Sequence, residues 1–125
     1  MEILLIEPEK GTRDQIKVGL ESFQDIRVEA AEGFAAINRA RQKTYDFIVL
    51  ENRSEVHDGL ADLHALREFD HDTPVVLIVT SKQARQLAAE RNKLNVYSTL
   101  AHPLDVREFF RLVARMRERA AGARS

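Results

Sequence analysis

The stretch Tyr45-Asp46-Phe47-Ile48-Val49-Leu50-Glu51 decides the fold, because a continuous apolar run ends there in a single carboxylate. A run without polar alternation is typical of a strand that is covered on both faces. The turn pair Asp58-Gly59 and a leucine-bearing segment follow it. In open α/β sheets, ligand sites lie at the carboxyl ends of the strands. We therefore expect Glu51 to lie at the site edge of such a sheet.

Five apolar runs of strand length alternate with five segments of helical periodicity. Strict alternation predicts an α/β fold of the doubly wound (βα)5 type, with a five-stranded parallel sheet and helices on both faces. The predicted strands are 2–6, 26–30, 46–50, 75–80 and 96–100. The predicted buried helix positions are Ile16, Leu20 and Phe23, then Phe34, Ile37 and Ala40, then Leu60, Leu63 and Leu66, then Ala84, Leu87 and Ala88, and last Val106, Phe109, Phe110, Val113 and Met116.

The composition fits one ordinary globular domain: 125 residues, 44% hydrophobic, 31% charged and a net charge of -1. This balance gives no global reason to expect nucleic acid or an anionic membrane as a partner. The chain has no cysteine, which excludes disulfides and thiolate metal sites. The apolar stretch 3–6 is too short for a signal or a membrane span, so we expect a cytoplasmic protein. We predict a domain over 1–119 and a tail or linker start over 120–125, where the apolar stripe ends.

The stretch 45–51, the pair Asp58-Gly59, the run 73–80 and the pair His102-Pro103 occur in this order. Together they resemble the response-regulator receiver domain of two-component signalling, over nearly the whole chain. The alternation fits the flavodoxin-like strand order 2-1-3-4-5, in which the order reverses between strands 1 and 3. Ligands should therefore meet the tips of those strands.

The resemblance assigns roles to the residues at these tips. In receivers, two acids after strand 1 and a phosphoacceptor aspartate after strand 3 hold Mg²⁺, whose octahedral shell requires oxygen ligands. Here Glu51 takes the phosphoacceptor position, Glu7 the first acidic position and Pro8 the second. Glu9 follows, but Pro8 fixes the local φ and should direct that side chain elsewhere. We therefore expect no Mg²⁺, no other metal and no cofactor; Glu51 is either a permanent, partial mimic of phosphorylated aspartate or a strand-end carboxylate without a role.

The remaining family positions are only partly kept. Thr80 matches the hydroxyl that contacts the phosphoryl group, although capping of the next helix is the simpler reading. Thr99 takes the switch position on strand 5. His102-Pro103 replaces a Lys-Pro pair, so histidine is a weaker substitute for the lysine charge and can pair with the nearby carboxylates. The family implies a cis peptide before Pro103.

We predict a degenerate receiver, or pseudo-receiver, that acts without phosphorylation as a protein interaction or dimerisation module and is not an enzyme. Two alternatives stay open: a phosphorelay receiver that takes the phosphoryl group at Glu51 with Mg²⁺, and the N-terminal regulatory domain of a longer transcriptional or signalling regulator. A flavin-binding protein is disfavoured, because the acidic segment 7–11 would repel a phosphate. We expect a protein partner and neither membrane nor direct nucleic acid contact. The predicted partner face, on helix 4, strand 5 and helix 5, comprises Arg85, Lys93, Tyr97, Arg107, Arg111 and Arg115.

Overall fold

Strands and helices alternate along the chain in this computed structural model, which describes residues 1–51 and 59–124. Each predicted strand is confirmed to within one residue at either end. Asp58, from the predicted turn pair, lies outside the described residues. The strands are β1 (Glu2–Ile6), β2 (Arg27–Ala31), β3 (Phe47–Glu51), β4 (Val75–Val79) and β5 (Val96–Ala101). The helices are α1 (Lys10–Glu21), α2 (Gly33–Gln42), α3 (Gly59–Arg67), α4 (Ser81–Leu87) and α5 (Val106–Arg124).

The strands form one parallel sheet with the order β2-β1-β3-β4-β5, which confirms the predicted topology. The order reverses between β1 and β3, and their register pairs Ile6 with Leu50. The carboxyl ends of these two strands therefore lie side by side. This is the place where open α/β sheets bind their ligands.

Two hydrophobic layers cover the sheet because successive side chains of a strand point to opposite faces. Ile3 and Leu5 of β1 pack with α1 and α5 in one layer. Leu4 and Ile6 pack with α2, α3 and α4 in the other layer. The central strands are thus buried on both faces, which explains their unbroken apolar sequences.

The predicted helix faces need correction at four positions. Phe34 is 79% exposed, because the buried stripe of α2 is centred on Ala36 and Ile37, and Phe34 lies more than 100° around the helix from that centre. Ala88 is exposed and follows the end of α4. Val106 is exposed in the first turn of α5, and Phe110 lies at the border of its buried stripe.

Helix α5 continues past the predicted domain boundary. It extends to Arg124, and Ala120 is buried in the layer that α5 shares with α1. The boundary predicted between 119 and 120 therefore falls within a helix. Where a linker begins stays a prediction.

Candidate functional site

Two buried carboxylates lie at the carboxyl edge of the central strands. Glu51 is the last residue of β3 and is 1% exposed, and Glu7 directly follows β1 and is fully buried. Since Ile6 and Leu50 are register partners, these two acids follow paired positions on neighbouring strands, which run about 5 Å apart. The predicted meeting of Glu7 and Glu51 at this edge is consistent with that register.

His102 joins this edge from β5. Its backbone N–H donates to the carbonyl of Val79 at 2.9 Å, which fixes the residue beside the end of β4. The His102 Nδ1 lies 3.3 Å from Glu51 Oε1. The peptide between His102 and Pro103 is cis, as the resemblance implied. His102 therefore contacts the carboxylate that the sequence predicts at the phosphoacceptor position.

The two acids that follow β1, Glu7 and Glu9, have different surroundings. Glu9 is exposed, and its Oε1 accepts a hydrogen bond from the Thr12 hydroxyl at 2.8 Å. Its backbone N–H donates to Glu7 Oε1 at 3.3 Å. The buried Glu7 Oε2 has no hydrogen-bond partner within residues 1–51 and 59–124. In those same ranges, no group of three or more His, Asp or Glu side chains is arranged to hold a metal ion.

Thr80 caps helix α4. Its hydroxyl accepts from the N–H of Gln83 at 3.2 Å, and the Gln83 side chain accepts from the N–H of Thr80 at 2.9 Å. This reciprocal capping box accounts for threonine at the tip of β4. The capping role considered from the sequence is thus present.

Strand β5 contains a bulge. Because of it, Tyr97 and Thr99 face opposite sides of the sheet, whereas a regular strand would place them on the same face. Val75 pairs with Val96, but Val76 pairs with Ser98, so Tyr97 is the extra residue. Thr99 pairs with Leu77, whose side chain packs on the α4 side of the sheet. Tyr97 instead packs against Phe47 on the α1 and α5 side, with ring centroids 5.3 Å apart. The ring is half-buried against that layer, and the place of Tyr97 on the partner face stays a prediction.

The other predicted partner-face residues are exposed. Arg107, Arg111 and Arg115 line a surface hollow of about 440 Å³ along α5, together with Asp105 and Glu108. Arg85 lies in α4, and Lys93 lies in the segment before β5. The face therefore carries positively and negatively charged side chains, and arginines outnumber the acids along α5.

A groove between α1 and α5 was not anticipated from the sequence. It has a volume of about 440 Å³ and reaches Glu51 and His102 at the carboxyl edge of the sheet. We call it the α1/α5 groove. The sequence contained one sign of it, since Val106 and Phe110 extend the apolar stripe of α5 beyond what the sheet covers. Its lining residues are Thr12, Gln15, Ile16, Gly19, Glu51, Ile78, His102, Pro103, Leu104, Val106, Phe109 and Phe110.

No helix within the described ranges has both the length and the apolar character needed to cross a bilayer.

The sequence of this chain matches one protein family and two characterised relatives. The model of the response regulator receiver domain family matches residues 3–114. The transcriptional regulatory protein PcoR of Escherichia coli is 32% identical over 126 aligned positions, which cover 98% of this chain and 53% of PcoR. Transcription factor prr1 of Schizosaccharomyces pombe is 32% identical over 80 residues, which cover 63% of this chain and 15% of prr1. The chain therefore spans about half or less of the length of these two relatives.

Solved structures show the same fold. The Francisella response regulator 1452 receiver domain superposes with a TM-score of 0.75 at 21% identity, covering 95% of this chain and 98% of that one. The non-phosphorylated HemR receiver domain of Leptospira biflexa gives a TM-score of 0.74 at 23% identity, with 92% of each chain covered. Because the family match extends over nearly the whole chain, this protein belongs to the response regulator receiver domain family of two-component systems.

Proposed function

We propose that this domain is a pseudo-receiver, which works as a protein interaction or dimerisation module without being phosphorylated. The observation that carries the proposal is the 3.3 Å contact between His102 Nδ1 and Glu51 Oε1. In a working receiver, the residues at these two positions both contact the incoming phosphoryl group. Here the longer glutamate carboxylate and the histidine contact each other.

Burial of Glu51 supports the same proposal. Its side chain is 2% exposed, so a phosphodonor has little access to the carboxylate oxygens. Glutamate is also one methylene longer than aspartate, which displaces the nucleophilic oxygen by about 1 Å from a position suited to aspartate. In-line phosphoryl transfer depends on positioning and charge neutralisation, so such a displacement slows it.

The donor set does not fit a catalytic Mg²⁺ ion. Pro8 occupies the second acidic position, and the exposed Glu9 carboxylate is hydrogen-bonded to Thr12 instead of turning to the pocket. Within residues 1–51 and 59–124, no three acidic or histidine side chains are arranged for a metal. We therefore propose that the domain uses neither Mg²⁺ nor another cofactor, and that it has no enzymatic activity of its own.

Beryllofluoride, which mimics an acyl phosphate, tests the proposal. We would titrate the protein with beryllofluoride and Mg²⁺ and record backbone amide NMR shifts. A variant carrying Pro8→Asp, Glu51→Asp and His102→Lys restores the receiver side chains and serves as the matched control. We expect saturable, Mg²⁺-dependent shifts in this variant that extend to Thr80 and Thr99. The unmodified protein should show none.

Saturable Mg²⁺-dependent shifts at Glu7, Glu51 and His102 in the unmodified protein would overturn the proposal. They would instead support a phosphorelay receiver that accepts the phosphoryl group at Glu51. A +80 Da species after incubation with acetyl phosphate would identify the same outcome by mass spectrometry.

A second proposal follows from the two relatives, whose names describe a transcriptional regulator and a transcription factor. We propose that this domain serves as the N-terminal regulatory part of a longer transcriptional or signalling regulator in the cytoplasm, with a protein partner. The limited share of each relative that the chain covers supports this proposal. The open reading frame tests it: we expect an in-frame output segment after Ser125, and a stop codon directly after that residue would contradict it.

A further inference from the structure

We propose that the α1/α5 groove binds a neutral small molecule that has an aromatic body and one hydroxyl group. The hydroxyl group bonds to the His102 imidazole, and the aromatic body lies between α1 and α5. The Glu51 carboxylate makes no contact with this ligand. The proposal goes beyond the pseudo-receiver proposal and does not depend on it, because the ligand binds without covalent chemistry.

The groove has the size and walls of a small-molecule site. Its volume of about 440 Å³ lies in the range that such sites occupy. Ile16 contributes to the wall on the α1 side, and Val106, Phe109 and Phe110 contribute the wall from α5. The two phenylalanine rings meet edge to face, with centroids 5.8 Å apart. A ligand ring can pack on them in the same manner, so these walls favour an aromatic body.

Part of this apolar surface is in contact with water. Val106 and Phe110 are exposed, although both line the groove. A ligand that covers them removes apolar surface from water, and this transfer is favourable in proportion to the area removed. The exposed part of the α5 wall therefore supplies a driving force for binding.

His102 provides the polar contact at the inner end of the groove. Its side chain is 38% exposed and lines the groove. The Nδ1 atom lies 3.3 Å from Glu51 Oε1, so Nε2 is the ring nitrogen that remains for a ligand. A hydroxyl group suits Nε2 in either protonation state of the imidazole, because it can accept from an N–H and can donate to a nitrogen lone pair.

A charged ligand fits the inner end of the groove poorly. No lysine or arginine is among the described residues that line the groove, so an anionic group finds no fixed positive charge there. An ammonium group would leave water without gaining an ion pair. The Glu51 carboxylate is almost fully buried, contacts His102 and has a further partner, so it is not available to such a group. We therefore expect a neutral ligand.

The groove has free space at Gly19, on the α1 side. A Cβ atom built on Gly19 would meet no other atom within 4 Å, although this residue lines the groove. A larger side chain at this position should therefore fill the groove without disturbing α1. Gly122 in α5 also has no atom within 4 Å of a built Cβ and does not line the groove. The same substitution at Gly122 is thus a matched control.

The experiment uses 3-phenylpropan-1-ol as the probe, with 3-phenylpropylamine and 3-phenylpropanoate as cationic and anionic analogues of similar size. Amide NMR shifts would be followed during titration of the unmodified protein. We expect saturable shifts at Ile16, Gly19, His102 and Phe110 with the alcohol. The amine and the propanoate should each bind at least about tenfold more weakly, because their charges lose water without gaining a partner.

Three variants test the placement of the alcohol. Gly19→Leu should weaken its binding at least about tenfold by filling the groove, whereas Gly122→Leu should bind like the unmodified protein. His102→Phe keeps a ring but removes both nitrogens, so it should weaken binding of the alcohol about fivefold. Propylbenzene, which lacks the hydroxyl group, should bind His102→Phe and the unmodified protein equally well. Circular dichroism would check that each variant is folded.

Equal binding of the alcohol, the amine and the propanoate would overturn the proposal, as would alcohol binding that Gly19→Leu leaves unchanged. Shifts that increase without saturation would do so as well. If His102→Phe changed the binding of the alcohol and of propylbenzene equally, His102 would not be the polar contact, and the proposal would be wrong. Shifts of Ile16 and Phe110 that depend on protein concentration without any probe would show that a second copy covers the groove, which would also exclude the proposed ligand.

Discussion

Glu29 illustrates how a single carboxylate can join several elements of this fold. It accepts hydrogen bonds from Lys43 Nζ at 2.8 Å, the Tyr45 hydroxyl at 2.5 Å and Arg39 Nη1 at 3.1 Å. The hydrogen bond from Lys43, followed by that from Tyr45, lowers the pKa of Glu29 to about 2. The edge strand β2 is thereby tied to α2 and to the segment before β3.

Replacing Glu29 with glutamine should lower stability in a pH-dependent manner. The folded-state pKa of Glu29 is depressed from 4.5 to about 2, so its stabilisation is complete above about pH 4.5 and is lost as the pH falls towards 2. Since the side chain is 37% exposed, solvent screens the ion pairs, and we expect Glu29→Gln to cost about 1 kcal/mol at pH 7. Urea unfolding at several pH values would measure this difference, which should vanish near pH 2.

The exposed Glu118 provides the control, because Glu118→Gln should change the free energy of unfolding little at any pH. A difference between Glu29→Gln and the unmodified protein that stays constant from pH 7 to pH 2 would contradict the prediction.

The structural role of an individual site residue could be predicted from the sequence alone only where that role depends on residues nearby in the chain. The capping by Thr80 was anticipated because capping depends on neighbouring residues, whereas the cis peptide before Pro103 was expected only from the resemblance to receiver domains. The contact between His102 and Glu51 was only one of the possible pairings, since the sequence does not specify which carboxylate a side chain from β5 will reach. The geometry of Glu9 depends on Thr12 one turn later, and this partner was not considered.

At the scale of the elements, Arg67 connects the end of α3 to the two segments that precede β4 and β5. Although charged, it is 4% exposed, and burial lowers its pKa. Its guanidinium donates to the backbone carbonyls of Leu94, Asp70, Thr73 and Asn95 at 2.7 to 3.1 Å. These loop carbonyls are satisfied by a side chain instead of by a neighbouring strand.

Replacing Arg67 with methionine should destabilise the whole domain. Methionine keeps much of the buried volume, but it leaves buried carbonyls without donors, and each such carbonyl costs about 1 to 3 kcal/mol. We expect the free energy of unfolding to fall by about 3 kcal/mol, measured by urea denaturation. The exposed Arg91 offers a control, because Arg91→Met should change stability by less than about 0.5 kcal/mol. Equal losses for the two variants would show that the carbonyl contacts of Arg67 contribute little.

The elements themselves were predicted well where one physical rule dominates. The strands were located because burial on both faces produces continuous apolar runs. The bulge at Tyr97 was missed, because a period of two along β5 contains no mark of an extra residue. The exposure of Phe34 was missed because small residues, Ala36 among them, define the buried face of α2.

At the scale of the whole molecule, the sheet order followed from the strict alternation of strands and helices, since right-handed crossovers leave few other arrangements. The α1/α5 groove could not be predicted in the same way. It depends on the distance between α1 and α5, which are distant in sequence but lie side by side on one face of the sheet. Periodicity reports which residues face the sheet, but it contains no information about the space between neighbouring helices.

The arginine stripe of α5 leads to the last prediction, which concerns assembly. Arg111 and Arg115 are exposed one turn apart and line the same surface hollow, and charge complementarity at such a face determines partner choice. If the domain dimerises through α4, β5 and α5, replacing both arginines with glutamate should raise the dimer dissociation constant at least about tenfold. Analytical ultracentrifugation over a range of concentrations would measure this constant. Lys10→Glu combined with Arg27→Glu makes the same change in net charge at exposed residues of α1 and β2, and this control should dimerise like the unmodified protein. Equal dissociation constants for both double variants would exclude the α5 face as the contact, and a monomer at every concentration would exclude the homodimer itself.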